Sequence, residues 1–195
     1  MNRQYGRAFT KSVLKKVKPL YKEMLARADD IGYDNPMANN IYMAFVFMAI
    51  WKLADGKIKP TDFKEVITEF MYNPLVMRFM GGIDANRPEG MKKMTEKYHQ
   101  MAQWAEEHPE YKDKTWNFNF DDTLHRDGTY YYFTQCPIEK FARENGYLEI
   151  LPVICDTDYL TANAKRAVLH RGETLATGGK MCDYWYVGDK MENPQ

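Results

Sequence analysis

Apolar residues recur every three or four positions through the first part of the chain and every second position through much of the remainder, so the sequence divides by period. Val13, Val17, Leu20, Met24 and Ala28 mark one stripe of an amphipathic helix over residues 6–28, ending before Ile31-Gly32. Asn35-Pro36 reads as a cap with proline at the first helical position, opening an apolar helix that runs to Ala54. Asp55-Gly56 is a turn. Pro60, with Asp62 and Glu65 behind it, starts a third helix that must stop at Asn73-Pro74. Leu75 to Met80 adds a turn or two before Gly81-Gly82. Pro88 opens a helix whose positions Met91, Met94, Tyr98, Met101 and Ala105 step by three and four, the pattern of a core or interface stripe.

The period changes near Lys114. Trp116, Phe118 and Phe120 alternate with Thr115, Asn117 and Asn119, which predicts a strand, and Thr129 to Gln135 predicts a second. Cys136-Pro137 ends that strand and opens a short helix with Ile138, Phe141 and Ala142 inward, stopped at Asn145-Gly146. A second short helix covers Leu148 to Cys155, and Asp156 caps a third through Asn163. Arg166 to Thr177 reads as strand again, Gly178-Gly179 as a tight turn, and Met181 to Val187 as the returning arm of a hairpin. The expected architecture is α+β in a single domain, 1–195. A helical N-terminal part (1–110) packs on an antiparallel sheet with short inserted helices (111–188), followed by a polar, frayed tail (189–195). No internal repeat or low-complexity segment interrupts it.

Charge narrows the function. Lys plus Arg is 27 and Asp plus Glu is 27 in 195 residues, and that balance argues against a dedicated nucleic-acid binder. A small anionic ligand needs only one or two placed cations and stays open. The 14 Tyr, 13 Met, 10 Phe and 4 Trp mean a large aromatic core or an aromatic-lined pocket. The longest apolar run, Ile41 to Trp51, falls short of the roughly 20 residues a bilayer needs, so no membrane partner is expected. The basic N-terminus lacks the apolar core of a secretory signal. Three cysteines without CxxC spacing make no disulfide framework, which points to the reducing cytoplasm.

Those cysteines gather the candidate chemistry. Cys136 stands at the N-cap of the Pro137 helix, where unpaired N–H groups favour a thiolate and lower the thiol pKa; equally, cysteine is simply small enough for a crowded strand-to-helix corner. Cys155-Asp156-Thr157-Asp158 sets two acids two residues apart at a helix start, for capping or for general-base work. On strand geometry Cys182 and Tyr184 face one side and Asp183 and Trp185 the other. Gly178 and Gly179 serve the turn or let N–H groups approach an oxyanion, turn duty being the plainer account. His99, His108, His125 and His170 form no HxxH pair, and three cysteines with His170 lack the close ligand pairs of a zinc site, so neither metal nor cofactor is expected. Walker, GxGxxG and GxSxG motifs are absent.

Three segments carry a resemblance: Phe133-Thr134-Gln135-Cys136-Pro137-Ile138-Glu139-Lys140-Phe141-Ala142-Arg143-Glu144-Asn145-Gly146, then Leu151-Pro152-Val153-Ile154-Cys155-Asp156-Thr157-Asp158-Tyr159, then Thr174-Leu175-Ala176-Thr177-Gly178-Gly179-Lys180-Met181-Cys182-Asp183-Tyr184. In this order they resemble the L-2-amino-thiazoline-4-carboxylic acid hydrolase family, most closely over Trp116 to Tyr186. The resemblance implies a hydrolase that opens a thiazoline ring on the route to cysteine, giving N-carbamoyl-L-cysteine from a carboxylate-bearing small molecule. It implies Cys136, Cys155, Asp156 and Asp158 as catalytic residues, with Asp156 or Asp158 as base and Cys136 as nucleophile or polar anchor. Arg143, Arg166 or Arg171 would hold the carboxylate, and Thr174, Gly178, Gly179, Cys182 and Asp183 would border the substrate. The residues by themselves equally suit a non-catalytic small-molecule-binding or sensor domain. A third reading is an interaction protein, or homo-oligomer, using the basic first helix and the Met-rich helix. The hydrolase reading requires the thiols and a neighbouring acid to share the wall of one cavity.

Overall fold

The computed structural model describes residues 1–192 and 194; Asn193 and Gln195, the end of the expected tail, lie outside the described residues. The helical part runs α1 (Asn2–Tyr5), α2 (Arg7–Arg27), α3 (Ala38–Ala54), α4 (Pro60–Met71), α5 (Pro74–Met80) and α6 (Pro88–Glu107). Three of these start on proline at the first helical position, where its missing N–H leaves no bond unmade. Pro36 does not: α3 starts two residues later, because the Asn35 side chain accepts the Met37 N–H and donates to Ile31 and Thr115, holding a turn ahead of the helix. α3 buries Ile41, Ala44, Phe45, Phe47 and Met48 on several faces and packs against α2. Among the described residues no helix is long and apolar enough to cross a membrane.

The remainder is β1 (Phe118–Asn119), β2 (Thr129–Phe133), α7 (Pro137–Asn145), α8 (Leu151–Cys155), α9 (Thr157–Ala164), β3 (Ala167–His170) and β4 (Cys182–Gly188). The strands form one antiparallel sheet in the order β1-β2-β4-β3. Phe133 pairs with Cys182 and Tyr131 with Tyr184, so the aromatic inner positions of β2 and β4 stack side by side. α6 lies against β2 and α9 against β3. One hydrophobic cluster runs from Met24 on α2 to Tyr186 on β4. The fold is α+β, as expected.

Four expectations need correction. The Arg166–Thr177 strand ends at His170, and the connection to β4 spans 171–181, closed by a short 3-10 turn at Leu175–Thr177 instead of a two-glycine hairpin. The cause is Asp183: its carboxylate accepts the N–H of Gly172 at 2.8 Å and of Glu173 at 2.8 Å, bonds a continuing strand would have given to a neighbour. Second, β1 covers only Phe118–Asn119; Trp116 is buried outside the ladder. Third, Tyr147 bonds back to Ala142 and the chain turns through Ile150, so α8 begins at Leu151 and not at Leu148. Fourth, Asp189 is not frayed: its N–H bonds the Arg166 carbonyl at 2.9 Å and its carboxylate pairs with the Arg166 side chain.

Candidate active site

Cys136 ends the extended chain after β2 and occupies the N-cap of α7, as the Cys-Pro pair predicts. Its sulfur lies near the N–H groups of Ile138 and Glu139 without making a full capping bond. The expected low-pKa thiolate does not result. Burial outweighs the helix terminus, and the thiol moves from its ordinary 9.0 to about 12. Cys155, the last residue of α8, is also pushed well up by burial, with the Asp158 carboxylate next and the ionisable thiols of Cys136 and Cys182 behind it. Cys182 opens β4 and its Sγ accepts the Leu175 N–H at 3.2 Å. The three thiols come from the N-cap of α7, the end of α8 and the start of β4; Cys136 feels Cys182, and Cys155 feels both. All three are free and, at neutral pH, protonated.

The two acids diverge. Asp156 stands at the N-cap position of α9 as expected, but it has helical backbone angles and its side chain makes no capping bond, so α8 runs almost directly into α9. Its carboxylate points outward to Lys64 of α4 at 2.7 Å. Asp158, two positions on, turns toward the sheet. Its Oδ2 accepts from Arg171 at 3.0 Å and from the Tyr184 hydroxyl at 3.1 Å; Oδ1 takes no hydrogen bond among the described residues. Asp158 keeps 35 % of its side-chain surface. Yet loss of hydration lifts its pKa above the ordinary carboxyl value, against the pull of Arg171 and Tyr184.

Arg171 joins the parts. Its guanidinium is 3 % exposed, reaches Asp156 at 3.5 Å as well as Asp158, donates to the Cys155 carbonyl at 3.3 Å, and lies over the Tyr159 ring at 4.7 Å. Burial opposes its charge, but Asp158 and its neighbours hold the pKa above the ordinary value. Arg143 stands apart: it is 61 % exposed and pairs with Glu139 one turn back on α7. Arg166 is engaged by Asp189.

The remaining candidates build the walls. Thr174 is buried and exchanges a hydroxyl contact with Thr177 at 3.1 Å. The Gly178 and Gly179 N–H groups bond Leu175 and Thr174 carbonyls, so both glycines serve the loop and neither offers a free donor to an oxyanion. Gly178 has φ 85°, the left-handed angle that closes the 3-10 turn. Asp183 and Trp185 face away from Cys182 and Tyr184, as strand alternation predicts. They line an open groove of about 450 Å³ with His125, His170, Tyr159 and Arg171, and no cysteine borders it. Among the described residues no group of three or more His, Cys, Asp or Glu side chains is placed to hold a metal ion.

Sequence reasoning missed the tyrosines. The Tyr98 hydroxyl of α6 bonds with Tyr131 of β2 and Tyr186 of β4, and Tyr184 carries the contact on to Asp158. Tyr98 is held up at about 12 by burial. The available signal was the spacing Cys182, Tyr184, Tyr186 on one strand face; nothing local linked Tyr98 to it. Lys165, directly after α9, was missed as well. It is largely desolvated, which lowers its amine to about 8, and it feels Lys97 and then Asp158.

The sequence model of the L-2-amino-thiazoline-4-carboxylic acid hydrolase family matches residues 39–186. The chain belongs to that family. The match reaches back through α3 to α6, beyond the segments in which the resemblance was plainest, so the helices that carry Tyr98 are part of it. No curated protein and no solved structure matches the chain.

Proposed function

We propose that the chain hydrolyses a small cyclic amidine of the 2-amino-thiazoline-4-carboxylate type, adding water at C2 and expelling the ring sulfur to give N-carbamoyl-L-cysteine. The observation that carries this reading is the state of Asp158: Oδ2 is held by Arg171 and Tyr184, Oδ1 has no hydrogen bond among the described residues, and Cys155 feels its charge. A carboxylate so placed pairs with the amidine nitrogens and accepts a proton from water at C2. The water oxygen bonds to C2 of the amidinium and one of its protons moves to Oδ1; the C2–S bond breaks and the sulfur takes that proton. The remaining hydroxyl proton leaves to solvent as the urea carbonyl forms, and one water is consumed. Sulfur leaves in preference to nitrogen because a thiol is the stronger acid.

Arg171 and Tyr184 act as positioning residues, keeping Asp158 ionised and its free oxygen aimed. Cys136 and Cys155, neutral at physiological pH, serve as polar anchors along the ring and not as standing thiolates. Asp156 has no part in the chemistry, since both its oxygens are engaged, Oδ2 by Lys64 and Oδ1 by Arg171. The test is ring opening by the purified chain, followed by mass spectrometry of the product. Asp158→Asn should lower kcat by about 10²-fold or more, the usual size of a general-base contribution. Asp156→Asn and Cys136→Ala should stay within about tenfold of the parent. Full activity in Asp158→Asn would remove the proposal's base and with it the proposal.

A further inference from the structure

The groove of about 450 Å³ that borders no cysteine has no task in the ring-opening chemistry. It lies on the outer face of the sheet and is built largely from flat rings. Trp185 of β4 and His170 of β3 stand directly opposite each other in the register, with ring centroids 4.7 Å apart. His125, carried in by the connection between β1 and β2, lies nearly parallel to the indole at 3.9 Å. The indole is pinned, because its Nε1 donates to the Asp127 carbonyl at 2.7 Å. Tyr159 adds a fourth ring, and the Arg171 guanidinium already lies over it at 4.7 Å.

Charge in the groove leans negative. Arg171 is held by Asp156 at 3.5 Å and by Asp158 at 3.0 Å, so it brings no surplus positive charge. Asp183 is the opposite case. It enters none of the ion pairs among the described residues. Its carboxylate takes the N–H groups of Gly172 and Glu173, dipoles that steady a charge without cancelling it. Oδ2 accepts one of those bonds and has capacity for another. Burial holds the His125 pKa below its ordinary value, so that imidazole is uncharged at neutral pH.

We propose that this groove binds a small flat organic cation, its ring laid along the Trp185 row and its charge set against Asp183. The site stands apart from the ring-opening reading and does not depend on it. A cation near an indole face is drawn to the electron-rich ring, and the carboxylate beside it adds to that attraction. A neutral ring of similar shape gains the stacking alone, and an anion meets Asp183 as a like charge.

Titration calorimetry on the full chain compares N-methylquinolinium, a permanent flat cation with no N–H to offer Asp158, with quinoline, which is uncharged at neutral pH. The parent should bind the cation about tenfold tighter than quinoline. Asp183→Asn keeps Oδ1, which accepts both the Gly172 and the Glu173 N–H, and removes the charge. It should cut the preference to about threefold or less. Trp185→Leu should weaken both ligands about tenfold, while Trp185→Phe, which keeps a ring, should retain most of the affinity and guards against a Leu variant that fails to fold. A parent that binds both ligands equally or neither, an Asp183→Asn chain with its preference intact, or a folded Trp185→Leu chain that binds the cation as the parent does overturns the proposal.

Discussion

Arg171 carries a guanidinium that is 3 % exposed between two carboxylates each about a third exposed, 34 % for Asp156 and 35 % for Asp158. Removing it leaves Asp158 desolvated with only the Tyr184 hydroxyl to hold its charge. Arg171→Met should therefore cost about 2 kcal/mol in urea unfolding, below the larger losses seen when fully buried pairs are broken, because both acids keep some water. The same variant should push the Asp158 pKa further up. In the parent that pKa already lies above the ordinary carboxyl value, so kcat/KM should fall as pH drops through a point above 3.8. In Arg171→Met that acid limb should move to still higher pH, which a pH–rate profile would measure. At this scale the residue types were legible: Cys136, Cys155, Asp158 and Arg171 stand out in the sequence as chemistry-bearing. The choice of Asp158 over Asp156 was not, because it depends on which way each side chain leaves a helix whose continuation through Asp156 no local signal marks.

The connection from β3 to β4 is the element on which the site depends. It places Arg171 at its start, gives the Leu175 N–H to Cys182, and is held by Asp183 through the Gly172 and Glu173 N–H groups. Asp183→Ala should destabilise the chain by about 1–2 kcal/mol and speed hydrogen exchange at Gly172 and Glu173, with the core strands unchanged. Gly179 is tied into the same connection. A Cβ there would meet the Glu173 carboxylate at 2.6 Å and the Thr174 carbonyl at 2.9 Å, so Gly179→Ala must shift the loop and should cost about 1–2 kcal/mol in urea unfolding. Helix limits set by proline were readable because proline acts on its own neighbours; α4, α6 and α7 begin where the sequence says, and α5 starts at Pro74, one residue ahead of the expected Leu75. The false strand over Arg166–Thr177 has the opposite origin. Its pattern suited a ladder, but a carboxylate eleven residues on from Gly172 captured the backbone donors, and that competition is not local.

Across the molecule, burial of acidic protons sets the pH response. Cys136 titrates at about 12 in the fold against an ordinary 9.0, so the unfolded chain releases that proton first. Its contribution to stability is complete below pH 9 and is lost as pH rises toward 12. Cys155, Cys182 and the tyrosines Tyr98, Tyr131, Tyr184 and Tyr186 shift in the same sense. Lys165 works the other way: its amine is lowered to about 8, and stability from that group grows between pH 8 and its ordinary 10.5. The several acids outnumber the one base, so the unfolding free energy should fall from pH 9 upward. Cys136→Ala should shrink the difference between pH 7 and pH 10 by about 1 kcal/mol, measured by urea unfolding at each pH. An alkaline limb of unchanged size in that variant would place the thiol outside the desolvated interior.

The sequence alone determined the α+β class, the order of helices and strands, the proline and glycine limits and the family, because each of these is written in residues near one another along the chain. Only the tertiary structure decided that Cys155 comes near enough to Cys136 and Cys182 to feel them, and that Asp158 joins Arg171 and Tyr184 while Asp156 joins Lys64 and Arg171. Those facts arise from packing between distant segments. Desolvation, which reverses the expected ionisation of Cys136, depends on every atom that displaces water around a group, and no pattern of neighbours in sequence records it.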